Sequence, residues 1–190
     1  MLLAILLAVQ APAAAPDPKP DPRLARMVSL YDRLCLRAFP DDAAVDRVMA
    51  AEGATALTPA QVKVTLVDDP GRGWVVPDGD HHLQVMLELP PFHACSVRRG
   101  MGTASVDLAP YRVVADAYAS AHGPLPTAPG LDRDTGGLHI HAVQSARMLP
   151  DGGSDSLMVF EQTVTDPARR AAGETGTELR LVHQMATGAH

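Results

Sequence analysis

LHIHAVQSARML (138–149), PDGGSD (150–155), SLMVFEQTVT (156–165) and TELRLVHQM (177–185) decide the fold of this chain. Each of the three long segments is rich in β-branched and apolar residues and has the period-two alternation of a half-buried strand. Between the first two lies a Pro, Gly and Asp turn, and between the last two the polar loop DPARRAAGETG (166–176). Parallel neighbours need a crossover of a dozen residues or more, so connectors this short make antiparallel hairpins.

Toward the N-terminus, Gly123 to Gly137 is rich in Pro, Gly and Asp and reads as a loop. Before it, Asp107 caps a helix whose Tyr111, Val114, Ala115 and Tyr118 form one stripe and which Gly123 closes. FHACSVRR (92–99) reads as a strand with Cys95 and Val97 on one face, and HLQVMLEL (82–89) alternates through Leu83, Val85, Leu87 and Leu89. VKVTLVD (62–68) alternates Val62, Val64 and Leu66 with Lys63 and Thr65, which predicts another strand. PGRGW (70–74) and PDGD (77–80) read as turns bracketing the short strand Trp74 to Val76. Farther upstream, Leu24, Met27, Val28, Tyr31, Leu34, Cys35 and Ala38 recur at helical steps, after Asp21 as cap and Pro22 as first helical residue. Pro40 stops that helix, and Val45, Val48 and Met49 are the buried side of a second one that ends at Gly53. The order helices, strands, helix, strands predicts a single α+β domain over 23–190, an antiparallel sheet packed against about three helices.

The chain opens MLLAILLAVQAPAAAPDPKPDP. A short apolar run leading into small residues reads as a signal peptide over 1–13, cut between Ala13 and Ala14, although no Lys or Arg follows Met1. The run is too short to span a bilayer, so no transmembrane anchor is expected. Residues 14–22 read as an extended, proline-rich linker. The expected location is therefore periplasmic or secreted. In an oxidising compartment the two cysteines, Cys35 on a helix and Cys95 on a strand, are expected to form one disulfide. It closes a loop of 60 positions, worth about 4 kcal/mol by the chain-entropy relation. Neither cysteine lies in a C-x-x-C motif, which argues against a redox role.

Cys35, Gly73-Trp74 and Cys95-Ser96-Val97, behind the apolar leader, give the stretch Tyr31 to Arg99 a pattern that resembles small secreted two-cysteine proteins of unknown function from Gram-negative bacteria. The resemblance implies export and the disulfide, and transfers no activity or site residue.

A net charge of −6 without a long Lys/Arg cluster argues against a nucleic-acid partner. Hydrophobic content of 46% and mean hydropathy of +0.01 suit a globular domain. His139 and His141 stand two apart on a predicted strand, so both leave one face, close enough to share zinc or copper. A third ligand would come from His81, His82, His93, Glu161 or a nearby Asp. His183 shares the parity of Leu179, Leu181 and Met185, which predicts a hydrogen-bonded, partly buried histidine rather than a ligand. DRDTGG (132–137) opens like a calcium loop but lacks two of its oxygen ligands, and Gly100-Met101-Gly102 reads as a glycine turn rather than a dinucleotide fingerprint. There is no G-x-S-x-G, H-E-x-x-H or G-x-x-x-x-G-K-[ST]. The expected function is that of an exported, non-catalytic protein with no cofactor, which binds a protein partner or small ligand on its sheet or in the groove between sheet and helices. The alternative is a metal-dependent protein or hydrolase using His139 and His141.

Overall fold

The computed structural model describes residues 21–102 and 106–187. The signal peptide expected over 1–13 and nearly all of the linker lie outside the described residues. Asp21 is the N-cap of the first helix, its carboxylate accepting from the Arg23 amide at 2.8 Å. Pro22 is already helical.

Helices and strands follow in the order α1 (Pro22–Tyr31), a π-helical continuation (Asp32–Ala38), α2 (Asp42–Ala51), β1 (Thr55–Ala56), α3 (Pro59–Leu66), β2 (Gly71–Asp78), β3 (His81–Glu88), β4 (Ala94–Gly102), α4 (Ala109–His122), β5 (Thr127–Thr135), β6 (Leu138–Met148), β7 (Ser154–Val164), α5 (Pro167–Ala171) and β8 (Thr177–Ala186). The eight strands form one antiparallel sheet ordered β1-β2-β3-β4-β8-β7-β6-β5. Two meanders, β1 to β4 and β5 to β8, therefore meet along β4 and β8. This is the expected α+β architecture.

The core lies between α1, its π-helical continuation, α2 and α4 on one side and the inner face of the sheet on the other. The helical stripe holds as read: Leu24, Met27, Val28, Tyr31, Leu34 and Cys35 are all buried. Facing them, Leu83, Val85, Leu87, Cys95, Val97, Leu179 and Leu181 have no exposed surface. Burial of side chains of this size contributes about 1.5–3 kcal/mol each.

Several expectations give way. VKVTLVD is no strand: Thr58 and Gln61 form a reciprocal capping box around Pro59, which starts α3 instead. Val62 and Leu66, four apart, then share a buried side against Met86, while Val64 is 83% exposed. Gly71 to Trp74, expected as a turn, belongs to β2, and Gly100 to Gly102 extends β4 to a register shift at its end. The loop expected over 123–137 contains β5, the edge strand of the second meander. Its Pro129 and Gly130 sit where the register against β6 shifts, between Ala128 and Leu131. Proline is tolerated on an edge strand at a bulge, and a Cβ at Gly130 would collide with the Ala142 carbonyl oxygen. The loop 166–176 contains the single-turn α5, capped by Asp166.

Candidate functional site

Cys35 and Cys95 are bonded, with their Cα atoms 5.3 Å apart. The bridge pins the π-helical segment to β4, and Cys95 stands in register with His183 of β8. Around that pair the inner core holds a cluster of polar groups. His183 is 1% exposed and Asp155 fully buried. His183 Nδ1 lies 2.6 Å from the Cys35 carbonyl oxygen and Nε2 lies 3.0 Å from Asp155 Oδ1. Both ring nitrogens face oxygen atoms, the Cys35 carbonyl on one side and the Asp155 carboxylate on the other. Asp155 Oδ2 also accepts from the Tyr118 hydroxyl at 3.0 Å and from Arg147 Nη2 at 2.6 Å. Burial pushes the Asp155 carboxyl up. The hydrogen bond and charge of His183, with Tyr118 and Arg147, outweigh that and hold it below the usual carboxylate range. Burial and the neighbouring Asp155 raise the Tyr118 hydroxyl instead.

The chain creates the acceptor for His183 locally. The Phe39 amide bonds back to the Leu34 carbonyl at 2.9 Å, one residue farther than in an α-helix. The Cys35 carbonyl would next receive residue 40, which is proline and has no amide hydrogen. His183 supplies the missing donor. A cavity of about 630 Å³ adjoins the cluster, but among its lining residues no Ser, Thr or free Cys stands beside His183 as a nucleophile. The geometry describes a buried tie between β7, β8, α4 and the π-helical segment.

The second polar assembly lies at the β5–β6 hairpin, where the sheet has outrun its helical cover. His139 and His141 leave the same face of β6, as read, and it is the inner one, opposite Asp134 and Asp132 of β5. His139 Nδ1 is 3.1 Å from Asp134 Oδ1, and His141 Nδ1 is 3.2 Å from Asp132 Oδ2. Glu161 stands opposite His141 on β7. His81 and His82 lie at the far end of β3, and His93 pairs with Asp42 at 3.0 Å. Among the described residues no group of three or more His, Cys, Asp or Glu side chains is arranged to hold a metal ion. This weighs against zinc or copper at His139 and His141.

What the hairpin does border is a groove of about 620 Å³ between α4 and β5 to β7. Tyr111, Ala115 and Ala119, on one side of α4, form one wall, and Val143, Ser145 and Leu157 form the floor. The rim carries His141 and Glu161 at one end, with Asp107, Asp116 and Arg112 along the helix. A carboxylate at Nδ1 fixes the tautomer of a neutral imidazole and leaves Nε2 as an acceptor. Tyr111 and Ala115 were visible as part of a helical stripe in the sequence; the groove beside them was not, because it depends on how far α4 reaches across the sheet. Another cavity, of about 540 Å³, lies between α2, α3 and β2. Its rim charges are partly paired within the surface, Arg72 with Asp46 at 2.7 Å.

No protein-family model, curated protein or solved structure matches this chain. No helix of the described chain is long and apolar enough to cross a membrane.

Proposed function

We propose that this is an exported, non-catalytic binding protein that takes a small, largely apolar ligand in the groove between α4 and the β5–β7 strands. The observation that carries the reading is an apolar floor left open on the inner face, with Val143 43% exposed in register with the buried Val159. Small-molecule sites combine such apolar walls with a few placed polar groups. Here these are His141 and Glu161. Three carboxylates, Asp107, Asp116 and Glu161, against the single guanidinium of Arg112 at the rim favour a neutral or cationic ligand over an anion. Export rests on the disulfide spanning the core together with the apolar leader, since such bonds persist in oxidising compartments.

Titration with the neutral fluorescent amine N-phenyl-1-naphthylamine tests the groove. Saturable enhancement is expected for the native protein, and Ala115→Trp, which fills the groove from α4, is expected to abolish it. Undiminished enhancement in Ala115→Trp refutes the reading. The zinc or copper alternative makes a different demand, a metal-dependent rise in melting temperature that His139→Ala with His141→Ala removes. Recovery of the chain from the periplasm with Ala14 at its N-terminus tests export.

A further inference from the structure

The outer face of the sheet, away from α1 and α4, carries an arginine whose Nε has no hydrogen-bond partner among the described residues. Register places Gln84, Arg98, Arg180, Phe160 and Ala142 in one row across β3, β4, β8, β7 and β6. Two like charges directly opposite each other on neighbouring strands repel. Arg98 is provided for: its Nε donates to Gln84 Oε1 at 2.5 Å and its Nη2 to Thr65 Oγ1 at 3.3 Å, and Glu178 lies 3.6 Å from Nη1. Arg180 is not. Its Nε is buried without a hydrogen-bond partner among the described residues. Burial and the charge of Arg98 both work against its cation, and Glu88 and Glu178 offset them only in part. A guanidinium does not shed its proton to escape such a site; it needs an acceptor, and its planar fork matches a carboxylate or phosphate.

Beside the arginines the face turns apolar. Phe160 stands next to Arg180, with Met158 and Ile140 half-buried on the flanking rows. Over the first meander α3 covers this face through Val62, Leu66 and Met86. Phe160 and Met158 belong to no such buried cluster.

We propose that the outer face of β4, β6, β7 and β8 is a site for an anionic amphiphile. Its carboxylate or phosphate headgroup sits against Arg180 and Arg98, and its chain lies over Phe160, Met158 and Ile140. This site is separate from the groove under α4, and its ligand has the opposite charge preference.

Calorimetric titration of the full mature chain with dodecyl phosphate, dodecanoate, dodecyltrimethylammonium and inorganic phosphate tests it, each amphiphile below its aggregation concentration. Both dodecyl anions are expected to bind, the cation to fail, and inorganic phosphate to bind at least about tenfold more weakly, because it buries no methylenes. Arg180→Gln and Arg98→Gln are each expected to weaken the dodecyl anions by at least about tenfold, as loss of a charged hydrogen bond does. Ala115→Trp, in the groove, is expected to change nothing. Arg180→Met carries a second readout: it should raise the melting temperature of the ligand-free protein while abolishing binding, since a buried Nε–H donor without an acceptor is removed. Binding of the cation equal to that of the anions overturns the proposal, as does binding lost in Ala115→Trp but kept in Arg180→Met. Equal affinity for phosphate and dodecyl phosphate removes the apolar half of the site. A lowered melting temperature in Arg180→Met shows that the fold itself supports the arginine and overturns the need for a ligand.

Discussion

Val85 and Val143 occupy the same inner-face row of one sheet and meet opposite fates. The row runs Trp74, Val85, Val97, Leu181, Val159, Val143 across β2, β3, β4, β8, β7 and β6. Exposure along it is 8%, 0%, 0%, 0%, 2% and 43%. The first meander lies beneath α1, the π-helical segment and α2 and is cross-linked to the π-helical segment, whereas among the described residues the inner face of the outer part of the second has α4 alone beside it. Apolar surface spent on packing stabilises one half, and the surface left over in the other half is where a ligand can act. The outer face repeats the contrast, with α3 over the first meander and Arg180 beside an apolar strip on the second.

The largest expected effect breaks the anchored half. Cys35→Ser should lower unfolding free energy by about 4 kcal/mol in urea, and Cys95→Ser by a similar amount, because either opens the same loop. The double variant should add little, since both changes remove one bond. Additive losses would mean that the two sulfurs act separately.

Next comes the tie between the halves. Asp155→Asn leaves Arg147 and His183 without their shared carboxylate and should cost about 3 kcal/mol at neutral pH, the lower end for breaking a buried ion pair. The folded Asp155 carboxyl titrates below its unfolded value of about 3.9, so the folded state binds fewer protons there. Its contribution is present in full above about pH 5 and is lost as pH falls below about 4 through the folded value. The wild type should therefore lose stability more steeply than Asp155→Asn on acidification through that range. Parallel acid limbs would show that Asp155 carries no such linkage.

The comparison itself is tested by one substitution made twice. Val85→Ala should cost about 2 kcal/mol, the loss of buried methyl groups with a cavity left behind. Val143→Ala, at the other end of the row, should fall within about 0.5 kcal/mol of zero. Equal costs would close the groove.

Much of this was legible because it is local. The stripe from Leu24 to Cys35, the alternation of β3 and β6 to β8, and the short hairpin connectors each state their own structure within a dozen residues. His183 was readable as a bonded core histidine from its parity with Leu179 and Leu181. Its partners were not, because Asp155 and Tyr118 lie 28 and 65 positions away and only the register of β7 against β8 joins them. The same holds for Arg98 opposite Arg180: each was visible as a charged residue on a strand, while their adjacency follows from the pairing of two meanders. β5 was hidden by composition, since Pro129, Gly130 and its aspartates are residues an edge strand tolerates and an interior strand does not.

The smallest expected effect concerns the one element whose period was misread. Val62, Val64 and Leu66 fit a strand by alternation, but only Val62 and Leu66 are buried in α3. A strand at this position would turn Val64 to the same side as its two neighbours, and truncating it would remove core contacts. In the helix Val64 faces solvent, where a β-branched side chain only loses rotamer freedom against the preceding turn. Val64→Ala should therefore raise stability by about 0.5 kcal/mol, the difference in helix propensity. The sign decides the matter: a gain measured by urea unfolding keeps α3 as the cover of the outer face over the first meander, and a loss of about 1 kcal/mol or more returns the segment to a packed strand and removes the contrast with Arg180 on the second.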